Sequence, residues 1–133
     1  MRIAVAYLAS LLAFAAVDLG WLSLMAGRFY RPILGDIALQ GVNLAPALVF
    51  YLVFPIGLIV FAVVPALKSG AISVALLNGA LFGALAYATY DLTNQATLRN
   101  WSTQLTIVDM AWGMVLSALA SLVGYVVATR FAA

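Results

Sequence analysis

The sequence predicts an all-α membrane protein whose four transmembrane helices form one compact bundle. Of the 133 residues, 67% are hydrophobic and only 8% are charged, and the mean hydropathy is +1.16. Soluble chains are closer to half apolar and a quarter charged, so this composition excludes a soluble globular domain and a nucleic-acid binder. Four spanning helices of about 20 to 24 residues occupy roughly 80 to 96 positions. We therefore expect a single domain over residues 1–133 with short connections.

The first apolar run predicts a helix over about residues 3–26. The segment 27–41 follows it and carries Arg28, Arg31 and Pro32. Because this segment is polar compared with the rest of the chain, we expect a surface loop there with a short interfacial helix.

The second span is predicted over about residues 43–67 and holds Pro55 near its middle. Proline lacks the amide hydrogen and its ring clashes with the preceding turn, so Pro55 predicts a kink. A tight turn at Lys68, Ser69 and Gly70 then leads to the third span.

The third and fourth spans are predicted over about residues 71–97 and 105–129. Both carry small residues four positions apart, which allow helix backbones to approach closely. These residues are Gly79, Gly83, Ser117 and Ser121. Packing within the bundle explains this pattern as well as dimerisation does.

Four spans place both termini on one side of the membrane, but the sequence does not give their orientation. Three basic residues lie on each side, so the positive-inside rule, which needs an excess of Lys and Arg on one side, does not indicate the orientation. The same balance permits insertion in both orientations, with two copies pairing as an antiparallel homodimer.

Three of the four carboxylates are expected to converge in one leaflet. Asp18 lies about 12 Å from the end of the first span and Asp109 about 7 Å into the fourth, at 1.5 Å per residue. Asp91 lies near the end of the third span on the same side. An intramembrane carboxylate is costly and is therefore a functional candidate, although it can also hold helices in register.

A short repeat relates the first and fourth spans. Residues 17–21 read VDLGW and residues 108–112 read VDMAW. The spacing places each Asp and Trp on one helical face. Because the two helices run in opposite directions, we predict that Trp112 donates a hydrogen bond to Asp18 and that Trp21 donates to Asp109.

The third span carries the specific block AYATYDLTN at residues 86–94. Other characteristic residues accompany it along the chain, namely Asp18, Trp21, Leu22, Tyr30, Phe50, Tyr51, Ala96, Thr97, Leu98, Trp101, Val108, Asp109, Trp112 and Gly113. Together these residues resemble the bacterial membrane-protein family known as domain of unknown function 2177, and the resemblance covers nearly the whole chain. The resemblance implies a small protein of the bacterial inner membrane with four spans, and it implies no particular activity.

These observations predict a ligand-binding cluster inside the membrane. Its candidate residues are Asp18, Trp21, Tyr51, Tyr87, Asp91, Asn94, Asp109 and Trp112. The chain has no His and no Cys, so metal sites built on those ligands and Ser-His triads are excluded, and we expect no cofactor or metal. An oxygen-only site for Mg²⁺ or Ca²⁺ is an alternative that we do not favour.

The favoured function is binding or transport of a small or amphiphilic ligand, with proton exchange at an aspartate as the coupling event. Membrane lipids are the expected surroundings. One alternative is a membrane enzyme, or its accessory subunit, that modifies lipids with aspartates as acid and base. Another is a scaffold in which the aspartates only join helices.

Overall fold

The computed structural model describes residues 1–132, and within that range the chain folds into helices without strands. Four helices are long and apolar enough to cross a membrane, which confirms the predicted fold class. We number them α1 Arg2–Ile37, α2 Leu44–Ser69, α3 Ile72–Thr97 and α4 Thr103–Phe131.

Helix α1 is longer than the sequence predicts. Its regular part Arg2–Met25 continues through a π-helical turn, Ala26–Tyr30, and then through short turns as far as Ile37. The segment predicted as a surface loop is therefore mostly helical. Pro32 does not stop the helix, because it lies in the first turn of the short α-helical piece Arg31–Leu34, where its missing N–H is tolerated.

Helix α2 changes its hydrogen-bond pattern just after Pro55. The α-helical part ends at Leu58, a π-helical turn covers Ile59–Val63, and the helix then continues to Ser69. In the wide turn, the side-chain amide of Asn78 on α3 donates to the Phe61 carbonyl at 3.0 Å. The bend predicted at Pro55 itself stays a prediction. Gly70 ends the helix with a left-handed φ of 68°, which favours glycine at the predicted tight turn.

The most extensive helix contact joins α3 to α4 and rests on small residues. A Cβ atom on Gly79 would lie 2.6 Å from the Ser121 hydroxyl, and one on Gly83 would lie 2.6 Å from the Ser117 Cβ. Neither glycine has room for a side chain. The predicted small-residue pattern is therefore used for packing inside the bundle.

Helix α1 packs on the other side of α4. Ser10 is buried there and donates to the Ala120 carbonyl at 2.9 Å. The outward faces of all four helices expose large apolar side chains, as expected for surfaces in contact with lipid. The buried acidic side chains in the described residues are Asp18 and Asp91.

Candidate functional site

Asp18 accepts two hydrogen bonds from two other helices. The Trp112 indole on α4 donates to Oδ1 at 2.9 Å, and the Tyr51 hydroxyl on α2 donates to Oδ2. Asp18 as a whole is only 6% exposed. The predicted bond from Trp112 is thus confirmed, and Asp18, Tyr51 and Trp112, which we call the Asp18 group, connect three helices.

The second predicted indole–carboxylate bond is wrong in its direct form. Trp21 donates to the Tyr30 hydroxyl at 2.9 Å, and Tyr30 in turn donates to Asp109 Oδ1 at 2.7 Å. We call Trp21, Tyr30 and Asp109 the Asp109 group. Tyr30 was expected in a loop, so the spacing of the repeat did not place it between the two partners.

The π-helical turn explains how Tyr30 reaches this position. Trp21 and Tyr30 are nine residues apart, and at about 100° per residue a regular helix would point them to opposite sides. The wider turn between them changes that register and brings the tyrosine ring back toward α4.

The two tryptophans of the repeat stack on each other between the two carboxylates. The ring centroids of Trp21 and Trp112 are 4.2 Å apart and their planes differ by 9°. The antiparallel arrangement predicted from the repeat therefore brings the two indoles into face-to-face contact, while each N–H points to a different group.

Asp91 lies behind Asp109 and is fully buried. Within residues 1–132, neither of its carboxylate oxygens receives a hydrogen bond from a donor group. The Asp109 carboxyl is its closely interacting acidic neighbour. Two adjacent carboxylates repel each other in an apolar interior when both are ionised.

A cavity of about 320 Å³ lies at these groups, and we call it the aromatic cavity. Seven of its eleven lining side chains are aromatic, two are aspartates and none is basic. The lining residues are Asp18, Trp21, Leu22, Tyr30, Phe50, Phe54, Ala86, Tyr87, Tyr90, Asp109 and Trp112.

A second cavity of about 250 Å³ adjoins the first on the side of the loops. Leu34 and Trp101 line it alone, whereas Leu22, Tyr30, Tyr90 and Asp109 line both cavities. The bond between Tyr30 and Asp109 is therefore part of the wall that separates the two spaces.

The structure brings most of the predicted site residues together. Five of the eight line the aromatic cavity, while Tyr51 and Asp91 lie behind the carboxylates that do. Asn94 does not join the cluster: its side chain makes no hydrogen bond within the described residues, whereas its neighbour Gln95 bonds to Thr103 and Thr106.

Sequence reasoning missed several aromatic side chains of the cavity, namely Tyr30, Phe50, Phe54 and Tyr90. Tyr30 and Phe50 occur among the matching residues of the resemblance, and that signal could have placed them. Residues 1–132 contain no group of three or more acidic side chains arranged around one point.

The fold and the site define a class: a small four-helix membrane protein with a carboxylate–indole cluster inside the bundle. The chain belongs to the family described as "Predicted membrane protein (DUF2177)", whose model matches residues 3–126. Comparisons with curated proteins and with solved structures give no match.

Proposed function

We propose that this protein binds and transports a small or amphiphilic ligand in the aromatic cavity, with proton exchange at an aspartate as the coupling event. We further propose that it works in the bacterial inner membrane, surrounded by lipids. The carrying observation is that a cavity opens onto two carboxylates, Asp18 and Asp109, at the depth of the spanning helices.

The energetic cost of these carboxylates supports a role in binding. An acidic side chain near the centre of a membrane costs about 2.5–3.5 kcal/mol on insertion scales. Asp109 uses only one oxygen for a side-chain donor of the described chain, and its other oxygen has no such partner. An acidic group within a spanning helix that keeps an acceptor free beside a cavity is suited to a ligand or a proton.

One observation favours the alternative of a structural scaffold. Both oxygens of Asp18 are occupied by donors from neighbouring helices, as expected for a residue that fixes helix positions. The scaffold hypothesis therefore applies most strongly to Asp18 and least strongly to Asp109. A lipid-modifying enzyme would require turnover of a lipid substrate, which separates it from both.

Native mass spectrometry of gently solubilised protein tests binding without a prior choice of ligand. We would compare the wild type with Asp18→Asn and Asp109→Asn, and use Asp36→Asn as the matched control. Asp36 is exposed and lies outside the cavity, so this variant has the same charge change without touching the site.

We expect a discrete adduct on the wild type and on Asp36→Asn that is lost from at least one cavity variant. An asparagine oxygen can still accept the indole or tyrosine donor, so these variants should fold. The same adduct on all four proteins, or no adduct on any, would contradict binding at the cavity. The spectrum also reports whether two copies pair.

A further inference from the structure

The walls of the aromatic cavity are chemically suited to positive charge. Seven aromatic side chains line it, and the face of an aromatic ring carries negative electrostatic potential that attracts cations within about 6 Å. Trp21 and Trp112, the ring type with the strongest attraction, belong to this set.

Among residues 1–132, no basic side chain lines the cavity or donates to its carboxylates. The donors to Asp18 and Asp109 are an indole and two tyrosine hydroxyls, all of them neutral. An anionic ligand would meet two acidic groups, and a neutral ligand would leave their charge uncompensated. A cation would compensate that charge.

The two carboxylates are not equivalent toward such a ligand. Asp18 has both oxygens occupied, whereas Asp109 has one oxygen without a side-chain donor. Behind Asp109 lies the fully buried Asp91, which has no donor on either oxygen within the described residues. The carboxylate oxygen of the cavity wall that has no side-chain donor within the described residues therefore belongs to Asp109.

The size of the cavity limits the ligand to a small molecule. Its volume of about 320 Å³ is at the lower end of the roughly 300–1,000 Å³ found for ligand pockets. Apart from the carboxylates and hydroxyls, the lining consists of rings and aliphatic groups, so the rest of the ligand should be apolar.

Building on the proposed function, we infer that the aromatic cavity binds a small hydrophobic organic cation, such as a quaternary or protonated amine with one apolar group. Asp109 is the carboxylate that contacts the positive centre, and the aromatic rings enclose it. Asp18 holds the helices that form the wall and contacts the ligand less directly.

A pair of probes with the same shape tests this inference. Phenyltrimethylammonium carries a positive nitrogen where tert-butylbenzene carries a neutral carbon. The chain has three tryptophans, so Trp101→Phe leaves Trp21 and Trp112 as the only indole fluorophores, and both line the cavity. Each probe would be titrated into the Trp101→Phe protein in detergent, and binding would be followed by the change in indole fluorescence. Because the two probes partition differently into micelles, both concentrations are expressed per volume of micelle.

We expect the cation to bind about tenfold more tightly than its neutral isostere. Asp109→Asn on the same background should remove that difference, while Asp18→Asn should keep most of it. Asp36→Asn is the matched control and should leave both affinities unchanged.

Equal binding of the two probes would overturn the cationic ligand and leave the proposed binding function standing. Binding of neither probe to the folded protein would also overturn it, and the adduct experiment, which needs no added ligand, would then decide the proposed function by itself. If Asp109→Asn fails to fold, the comparison of the two probes on the unmodified cavity still decides.

Discussion

The Asp18 group and the Asp109 group start from nearly the same five-residue sequence and end in different arrangements. In the Asp18 group the indole reaches the carboxylate directly, and a tyrosine from α2 occupies the second oxygen. In the Asp109 group a tyrosine stands between the indole and the carboxylate, and the second oxygen has no side-chain donor in the described chain.

The difference shows what a short motif determines and what its surroundings determine. With this spacing of Asp and Trp on antiparallel helices, Trp21 stacks on Trp112. Each carboxylate then takes its other partners from a segment outside the motif. Tyr51 comes from α2, and Tyr30 comes from the π-helical turn that extends α1.

The closed arrangement at Asp18 and the open arrangement at Asp109 suit different tasks. A buried carboxylate with two donors holds its neighbours in place, and removal of one donor leaves an unpaired buried group. A carboxylate with a free oxygen at a cavity wall can accept a proton or a ligand without first breaking a bond. Substitutions that treat the two groups alike should therefore give unequal results.

The largest difference in the free energy of unfolding is expected between substitutions of two glycines that flank the tryptophans. Gly113 follows Trp112, and a Cβ there would overlap three atoms of the Tyr87 ring, whereas a Cβ on Gly20 meets nothing within 4 Å. Gly113→Ala should destabilise the bundle by about 3 kcal/mol, the upper range for overpacking. Denaturant unfolding in detergent would measure the change.

Gly20→Ala is the matched control, and it should be neutral or slightly stabilising because alanine favours helix more than glycine does. It also makes the two motifs more alike in sequence. Equal destabilisation by both substitutions would mean that the tight packing of Tyr87 on Gly113 is not what shapes this wall.

A smaller difference in the free energy of unfolding is expected between the two variants that each remove one indole N–H. Trp112→Phe leaves the nearly buried Asp18 with one donor and should cost about 2 kcal/mol. Trp21→Phe leaves the bond between Tyr30 and Asp109 in place and should cost less. Infrared difference spectra would show a shift of the Asp18 carboxyl band only for Trp112→Phe.

The control for the infrared assignment is Asp18→Asn, which removes the band itself. If Trp112→Phe left the Asp18 band unchanged, the direct indole–carboxylate bond would be contradicted. Both substitutions weaken the stack of the two rings, so the difference between them compares the indole bond to Asp18 with the indole bond to Tyr30.

The sequence predicted the fold well because the membrane makes simple demands. Four apolar runs of sufficient length have to become helices, since backbone groups in lipid need internal partners. The small residues of α3 and α4 then predicted close packing, and Gly79 and Gly83 are used that way. The boundary of α1 failed because Arg28, Arg31 and Pro32 resemble loop residues, yet helical turns continue through them.

The site was harder to predict, because neighbours across helices are set by rotation and not by composition. The repeat gave the relative depth of the two indoles and carboxylates, so Trp112 and Asp18 were paired in advance. Because the end of α1 was predicted as a loop, the position of Tyr30 between Trp21 and Asp109 was not predicted. The lipid-facing and cavity-facing aromatics of α2 and α3 look alike in sequence, so Phe50, Phe54 and Tyr90 were missed as lining residues.

The two bonds that connect Trp21 to Asp109 through the Tyr30 hydroxyl are tested by Tyr30→Phe, for which we expect the smallest loss of stability. The change removes two hydrogen bonds, from Trp21 and to Asp109, but both ends lie beside a cavity where water or a ligand can replace the hydroxyl. A cost of about 1 kcal/mol is expected, near the mean for single bonds between membrane helices.

Tyr51→Phe is the matched control for that measurement, because it removes one tyrosine hydroxyl from the closed Asp18 group. It removes one bond where Tyr30→Phe removes two. It should nevertheless cost more, because Asp18 is only 6% exposed and water has less access to replace the lost donor. A larger cost for Tyr30→Phe than for Tyr51→Phe would mean that the Asp109 group is the more rigid of the two. It would also mean that water or a ligand does not reach the free oxygen of Asp109.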